Sequence, residues 1–160
     1  MSRGIKGMNE TCVNYYKTCR ENAGLTQAKA SELLGVSERS ISDYENKKTR
    51  VPDEIVAIMA RKYNSPELLN YYCSKECPIG LHKKIKQLEI KSLEIVTLQM
   101  ISILRKVESV KGTLLDVTED GVITEDELPK LKEVVNYFDK VSQAANELKL
   151  WAEKYLINLA

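Results

Sequence analysis

Apolar residues recur at helical spacing along the whole chain, and no segment alternates apolar and polar residues long enough to predict a strand. In the first part of the chain this pattern is broken into five short segments: Thr11–Ala23, Gln27–Leu34, Glu38–Asn46, Pro52–Tyr63 and Pro66–Tyr72. Thr26 and Ser37 stand where a helix N-cap is expected, and Gly24 and Gly35 supply the left-handed residue that a sharp reversal requires. The pattern therefore predicts an all-α fold that begins with five short helices.

Two longer helical segments follow, His82–Lys111 and Leu128–Leu159, and we expect them to pair as a hairpin. The later segment has one narrow apolar stripe: Leu131, Val134, Val135, Phe138, Val141, Ala145, Leu148, Ala152, Tyr155 and Leu159. The earlier segment is apolar over a wider arc than one antiparallel neighbour can cover. Its excess apolar surface predicts either a subunit interface, which we favour, or packing against the first part of the chain.

The two parts meet at Cys73–Gly80, where Pro78 and Gly80 interrupt the helical pattern. We therefore predict a first domain at residues 9–72, a linker at 73–80 and a helical hairpin at 81–160. Cys73, Cys77 and His82 have a spacing loosely similar to that of zinc ligands, but a structural zinc site needs four ligands. A hinge is the interpretation that we favour for these cysteines.

Composition excludes several classes of protein. The 160 residues include 24 Lys and Arg against 23 Asp and Glu, so there is no polybasic character, and a single His with no Ser/His/Asp cluster argues against an enzyme. No apolar run approaches the ~18 residues that a membrane span needs, and the N-terminal residues lack the apolar core of a signal peptide. We expect a cytoplasmic protein with reduced thiols and no cofactor.

The segment Thr26–Asn46 contains a helix of two turns, a short glycine-containing turn and a second short helix, which is the helix-turn-helix pattern. Ile41 and Tyr44 fall on the buried side of the second helix. Short polar and charged residues fall on its other side: Glu38, Arg39, Ser42, Asp43 and Asn46. An exposed face of this kind suits the major groove of DNA.

Four stretches carry a resemblance to a known family: Thr26-Gln27, Leu33-Leu34-Gly35-Val36-Ser37, Ile41-Ser42-Asp43-Tyr44-Glu45-Asn46 and Arg50-Val51-Pro52. Over Val13–Leu69 the sequence resembles the lambda-repressor-like (XRE) family of DNA-binding domains, whose fold is a compact five-helix bundle. Two positions depart from the family pattern, since Ala30 stands where Leu is common and Ser31 where Ala is common. Both are small enough to pack, so we expect lower stability and the same fold.

The resemblance implies a role for each residue of the motif. Gln27 is expected to reach a phosphate or a base edge. Ser37, Asn46, Lys48 and Arg50 are expected to hold the DNA backbone, and Glu38, Arg39, Ser42 and Asp43 to face the bases. Arg39 suits bidentate recognition of guanine, although Asp43 lies four residues later and can pair with it instead. The resemblance also implies a partly buried ion pair between Arg20 and Glu45.

We therefore predict a transcriptional regulator, a repressor that binds a palindromic operator on double-stranded DNA as a homodimer through its C-terminal helices. The alternative is a protein-interaction module of the same fold, of the antirepressor or toxin-neutralising type, without DNA binding. The near-neutral charge of the chain keeps this alternative open.

A last candidate site is Asp116–Glu127, which nearly matches a calcium-binding EF-hand loop. Its ligands would be Asp116, Thr118, Asp120, Thr124 and Glu127. Thr118 stands where a carboxylate or amide is expected, and no second loop is present to pair with this one. We favour an acidic turn between two helices, reversed at Asp120-Gly121, with no metal.

Overall fold

The structure is a computed structural model, and it describes residues 14–156. In that range every regular element is a helix, which confirms the all-α fold class. The helices are α1 (Tyr15–Asn22), α2 (Gln27–Leu34), α3 (Glu38–Glu45), α4 (Asp53–Lys62), α5 (Glu67–Lys75), α6 (Pro78–His82), α7 (Leu93–Leu104), α8 (Val107–Thr118) and α9 (Leu128–Tyr155). The expectations for Thr11, Val13 and Leu159 lie outside the described residues.

The chain divides into two compact units between Tyr72 and Cys73. The residues expected to form a linker, 73–80, are largely helical, because α5 continues to Lys75 and α6 begins at Pro78. Gly80 is buried against the backbone of the preceding helix, and a Cβ added to it would lie 1.8 Å from the carbonyl oxygen of Cys73. A glycine is therefore needed at this position for close approach of two backbones.

The short helices of the first unit begin and end at residues that satisfy their terminal backbone groups. The side chain of Thr26 accepts a hydrogen bond from the backbone N–H of Lys29 at 3.1 Å, and that of Ser37 accepts one from Ser40 at 3.0 Å. Gly24 and Gly35 have φ of 69° and 66°, the left-handed conformation that the sequence predicts for them. These caps fix the lengths of α1, α2 and α3.

The core of the first unit lies among its five helices. Ala30 and Ile41 are fully buried, so the small residue at position 30 is accommodated in the core. The ring of Tyr71 in α5 stacks on that of Tyr15 in α1, with 4.4 Å between their centroids. The buried side chains of this unit include Tyr16, Cys19, Leu34, Val51, Val56, Met59, Ala60, Tyr63, Leu68 and Tyr72.

The prediction of one long helix at His82–Lys111 is wrong. α6 ends at His82, residues 83–92 contain no helix, and the remainder forms α7 and α8, separated by Arg105 and Lys106. α6 stops because Lys84 adopts a left-handed φ of 53°, which lets the N–H of Ile85 reach the carbonyl of Gly80 at 3.0 Å. Neither of these helix ends has a proline or glycine at the turn itself. The apolar pattern of the sequence continues across both ends, which is why it predicted one helix.

In the second unit α7 and α8 both pack against α9. Its core is made by Val96, Val117, Val134, Tyr137, Ala144 and Leu150, and the hydroxyl of Tyr137 donates to the carbonyl of Ile103 at 2.9 Å. The apolar stripe predicted for the last helix is partly wrong, since Val135 and Phe138 are exposed while Tyr137 and Ala144 are buried. The predicted stripe therefore combines residues from two adjacent faces of α9. One face packs against α7 and α8, and the other, with Val135 and Phe138, is exposed.

The segment Asp116–Glu127, for which an EF-hand loop was the alternative, joins α8 to α9. Asp116 and Thr118 lie in the last turn of α8, and the Thr118 hydroxyl donates to the carbonyl of Leu114 at 2.8 Å. Asp120 accepts from the N–H of Val122 at 3.0 Å beside Gly121, whose φ is 72°. Glu127 accepts from the N–H and hydroxyl of Thr124, the geometry of a helix N-terminus. These contacts are those of an acidic turn between two helices.

Within residues 14–156 no three His, Cys, Asp or Glu side chains come together as metal ligands do. The same part of the chain holds no helix that is both long and apolar enough to cross a bilayer.

Candidate nucleic-acid interface

The turn between α2 and α3 sets the position of α3. Gly35 in its left-handed conformation reverses the chain, and the N–H of Val36 donates to the carbonyl of Ser31 at 3.2 Å. Ser37 then caps α3, and Ile41 anchors its inner face in the core. The opposite face of α3 is left accessible.

The outer face of α3 carries charged and polar side chains. Glu38 is exposed, and the side chain of Arg39 is 91% exposed. Asp43 lies between two cations, 3.8 Å from Nε of Arg39 and 3.7 Å from Nζ of Lys48. Because exposed ion pairs contribute little free energy, these contacts leave Arg39 able to exchange Asp43 for another acceptor. Ser42, part-buried, completes this face.

A buried network joins α1, α2 and α3 at Glu45. Nε of Arg20 lies 2.5 Å from one carboxylate oxygen of Glu45, and its Nη2 lies 3.0 Å from the other. The third nitrogen of Arg20 donates to the carbonyl of Leu25 at 2.6 Å. Both side chains are more than nine-tenths buried, and the hydrogen bond to Glu45 raises the pKa of Arg20 above its ordinary value. The pair that the resemblance implied is therefore present as a bidentate contact.

Gln27, the first residue of α2, joins the same network. Its amide Nε2 donates to Oε2 of Glu45 at 2.9 Å. An amide has a second N–H and an oxygen, so this hydrogen bond orients the Gln27 side chain and leaves its other polar groups for a ligand. Nothing in the sequence pattern indicated that Glu45 holds both Arg20 and Gln27.

The residues after α3 form a polar turn. Nδ2 of Asn46 donates to the carbonyl of Ser42 at 2.7 Å, and Lys47 adopts a left-handed φ of 55°. The N–H of Lys48 closes the turn on the carbonyl of Asp43 at 2.9 Å. Ser37, Asn46 and Lys48, which the resemblance assigns to the DNA backbone, are all exposed.

Arg50 has a partner that the sequence analysis missed. Its Nη2 donates to the hydroxyl of Tyr72, and its guanidinium carbon lies 5.4 Å from the centre of the Tyr72 ring. Tyr72 is 22 residues away along the chain, in α5. No local pattern links the two positions, so only the packing of α5 in the first unit reveals this contact.

Tyr63 is buried close to this network. Burial, with the nearby charge of Glu45 as a smaller cause, raises the pKa of Tyr63 to about 12. Among residues 14–156 the Tyr63 hydroxyl has no hydrogen-bond partner. The charges of Arg20 and Glu45 are stabilised by each other, by the carbonyl of Leu25 and by the amide of Gln27.

The bundle of short helices, with a capped α3 set across a glycine turn from α2, defines a helix-turn-helix domain. Residues 17–69 match the family model described as helix-turn-helix, and the match ends before the second unit begins. The match covers about a third of the chain, and it supports the resemblance of this domain to the lambda-repressor-like (XRE) type and a DNA-binding helix-turn-helix regulator in general. No curated protein and no solved structure matches the chain.

Proposed function

We propose that this regulator is a repressor that binds a palindromic operator as a homodimer and acts in the cytoplasm. The observation that carries the proposal is the outer face of α3, where Arg39 projects into solvent from a helix that the Glu45 network holds in place. Occupancy of the operator excludes polymerase, and no covalent bond is made or broken.

Base recognition is assigned to α3 and to the start of α2. Arg39 exchanges its weak contact with Asp43 for the O6 and N7 acceptors of a guanine, a contact worth about 1–3 kcal/mol of discrimination. Glu38, Ser42 and Asp43 face neighbouring base edges. Gln27 is oriented by Glu45 toward a base or phosphate at the same groove.

Backbone contacts are assigned to the polar residues that flank α3. Ser37 and Asn46 lie at its two ends, and Lys48 and Arg50 follow in the turn. A guanidinium has five N–H donors in a planar fork, so Arg50 can keep its contact with Tyr72 and still donate to a phosphate. Tyr72 then acts as the positioning residue for Arg50.

Dimerisation is assigned to α7. This helix is mostly apolar, and Glu94 is the one charged residue among its 12. Most of its apolar side chains are nevertheless not buried, since Val96 is the one fully buried residue of the helix. Leu98 is 66% exposed, and Ile95, Ile101 and Leu104 are also exposed. A helix with apolar residues on every side is normally buried, and eight of the 12 residues of α7 are apolar. A second copy of the chain supplies that cover, and a two-fold axis is what a palindromic operator requires.

Footprinting on the chromosomal region upstream of the coding sequence tests the DNA-binding assignment. The wild-type chain is expected to protect a symmetric site with salt-dependent affinity, and Arg39→Ala and Gln27→Ala to weaken the protection. Arg61→Ala is the matched control, since Arg61 is an exposed arginine at the end of α4, outside the proposed contacts. Binding to a protein that is insensitive to salt, with no protection of DNA, would instead favour the interaction-module alternative.

A further inference from the structure

The long helix α9 has a second apolar face besides the one that packs against α7 and α8. Val135 and Phe138 lie on it and are 52% and 49% exposed. The face continues in both directions at intervals of three and four residues, which is the spacing of a coiled-coil seam. We name it the α9 seam, and its members, none of them buried, are Leu128, Leu131, Val135, Phe138, Ser142 and Ala145.

The two flanks of the α7–α9 pair differ in polarity. On one flank the two helices enclose a groove lined mainly by polar side chains, among them Gln99 of α7 and Lys140 of α9. Residues two apart on a helix lie on nearly opposite sides of it. Ile101 is two residues from Gln99, and Phe138 is two residues from Lys140, so both lie on the other flank. An exposed apolar residue of α7 therefore lies on the same flank as the α9 seam.

A row of polar side chains accompanies the α9 seam. Its members recur every seven residues and are all exposed: Lys132, Asp139, Asn146 and Glu153. Within residues 14–156 none of these four side chains has an ion pair or a hydrogen bond. The row has a cation near the start of α9 and an anion near its end. It is therefore complementary to a copy of itself that runs in the reverse direction.

Antiparallel pairing with the α9 of a second copy brings these opposite charges together. With a two-fold axis between Ser142 and Ala145, Lys132 of each copy faces Glu153 of the other. The small side chains of Ser142 and Ala145 allow the two helices to approach closely at the axis. Parallel pairing would instead leave Lys132 and Glu153 about 31 Å apart along the helix axis, since 21 residues separate them.

We infer that the second copy in the homodimer covers the α9 seam and that the two α9 helices lie antiparallel. In this register Val135 lies opposite Ala152, and Phe138 lies opposite the methylene stem of Lys149. Each large side chain therefore meets a small or slender one, as close packing requires. The inference rests on the proposed homodimer and extends its α7 contact to α9.

The first unit of the same chain is the competing occupant of the α9 seam. A second copy is favoured because the row beside the seam is complementary to itself, which is what a two-fold interface between identical surfaces requires. A cover of different sequence has no such requirement. Coverage by the first unit is therefore an outcome of the test.

The test reverses the two charges singly and together in the full chain. Sedimentation equilibrium at about 50 mM salt, where exposed ion pairs are only partly screened, measures the dimer dissociation constant. Lys132→Glu and Glu153→Lys each turn two attractive contacts of the symmetric dimer into two repulsive ones. Each is expected to raise the dissociation constant by about 10-fold. The double variant restores both contacts with their signs exchanged and is expected to return to within about 3-fold of the wild type.

Matched controls make the same changes of charge on the groove flank of α9. Lys140→Glu and Glu133→Lys replace exposed residues that line the groove, and both are expected to keep the wild-type dissociation constant. An effect on the helix alone would have the opposite sign for the seam variants, because the macrodipole favours an anion near the start of α9 and a cation near its end. Weaker association therefore reports the contact between copies.

The inference holds if each single variant associates more weakly, the double variant recovers and the controls match the wild type. It is overturned if the single variants associate like the wild type, as coverage of the seam by the first unit predicts. It is also overturned if the double variant associates no more tightly than the single variants, or if the controls weaken association equally. In these cases a Leu98→Glu monomer leaves the proposed dimerisation through α7 intact, whereas a wild-type monomer removes both.

Discussion

Glu45 is the residue on which the placement of α3 depends. It accepts hydrogen bonds from Arg20 of α1 and Gln27 of α2, while its own backbone carbonyl accepts from the side chain of Asn14. The same residue therefore stabilises the domain and orients a proposed DNA contact. The position was accessible from the sequence through the family resemblance, but the link to Gln27 was not, because spacing alone does not show which side chains share a carboxylate.

Glu45→Ala is expected to lower the free energy of unfolding by about 3–5 kcal/mol, because the Arg20 guanidinium is left charged and buried without its partner. Urea denaturation monitored by circular dichroism measures the loss. Asp43→Ala, which removes only exposed ion pairs, is the control and is expected to cost under about 1 kcal/mol. Equal losses for the two variants would show that the buried network does not hold the domain together.

Tyr63→Phe is expected to raise the free energy of unfolding by about 1 kcal/mol at pH 8, since it deletes a buried hydroxyl that has no partner among residues 14–156. Its second effect depends on pH. The fold raises the pKa of Tyr63 from 10.0 to about 12, so the free energy of unfolding falls as the pH rises from 10 toward 12, where the unfolded chain ionises this hydroxyl and the folded chain does not. Removing it makes the alkaline loss of stability shallower.

Urea denaturation of Tyr63→Phe at pH 8 and pH 11 measures both effects, with Tyr155→Phe, an exposed tyrosine of α9, as the control. Tyr15, whose pKa burial also raises to about 12, retains its part of the pH dependence in both variants. If Tyr63→Phe left the alkaline loss of stability unchanged, the attribution of that loss to the raised pKa of Tyr63 would be contradicted.

How much of the fold can be predicted from the sequence depends on which residue types stand at the ends of the helices. The first unit was predictable because Thr26, Gly35 and Ser37 are residue types that favour the start or the end of a helix. The second unit was not, because the chain leaves α6 through Lys83 and Lys84 and leaves α7 at Arg105, residue types that ordinarily continue a helix. Those ends depend on packing against the rest of the unit, such as the contact of Gly80 with Cys73, which no local pattern encodes.

Lys47→Gly is expected to stabilise the first unit by about 1 kcal/mol. Lys47 holds φ at 55° after α3, a conformation in which a Cβ is unfavourable and glycine is not. Lys29→Gly, in the interior of α2, is the matched change and is expected to destabilise by about the same amount. Thermal unfolding of both variants measures whether each change raises or lowers the stability. Destabilisation by both would mean that Lys47 is not strained.

The whole molecule combines a DNA-binding unit with a helical unit that leaves much apolar surface open. The exposed apolar residues of α7 are expected to be covered in a dimer, so Leu98→Glu is expected to convert the chain to a monomer. Leu69→Glu is the matched control, since Leu69 is an exposed leucine of the first unit. Sedimentation equilibrium at micromolar concentration measures both, and a wild-type monomer, or a Leu98→Glu dimer, would contradict the interface.

Selection of bound duplexes from a random-sequence library, with the full wild-type chain and with Arg39→Ala, decides whether α3 recognises DNA. The wild type is expected to enrich an inverted repeat whose half-site centres lie about 10 base pairs apart, and Arg39→Ala to lose the preference for one G·C pair in each half. Recovery of sequences no different from the input pool, or the same enriched repeat for both proteins, would contradict the assignment of α3 as the recognition helix.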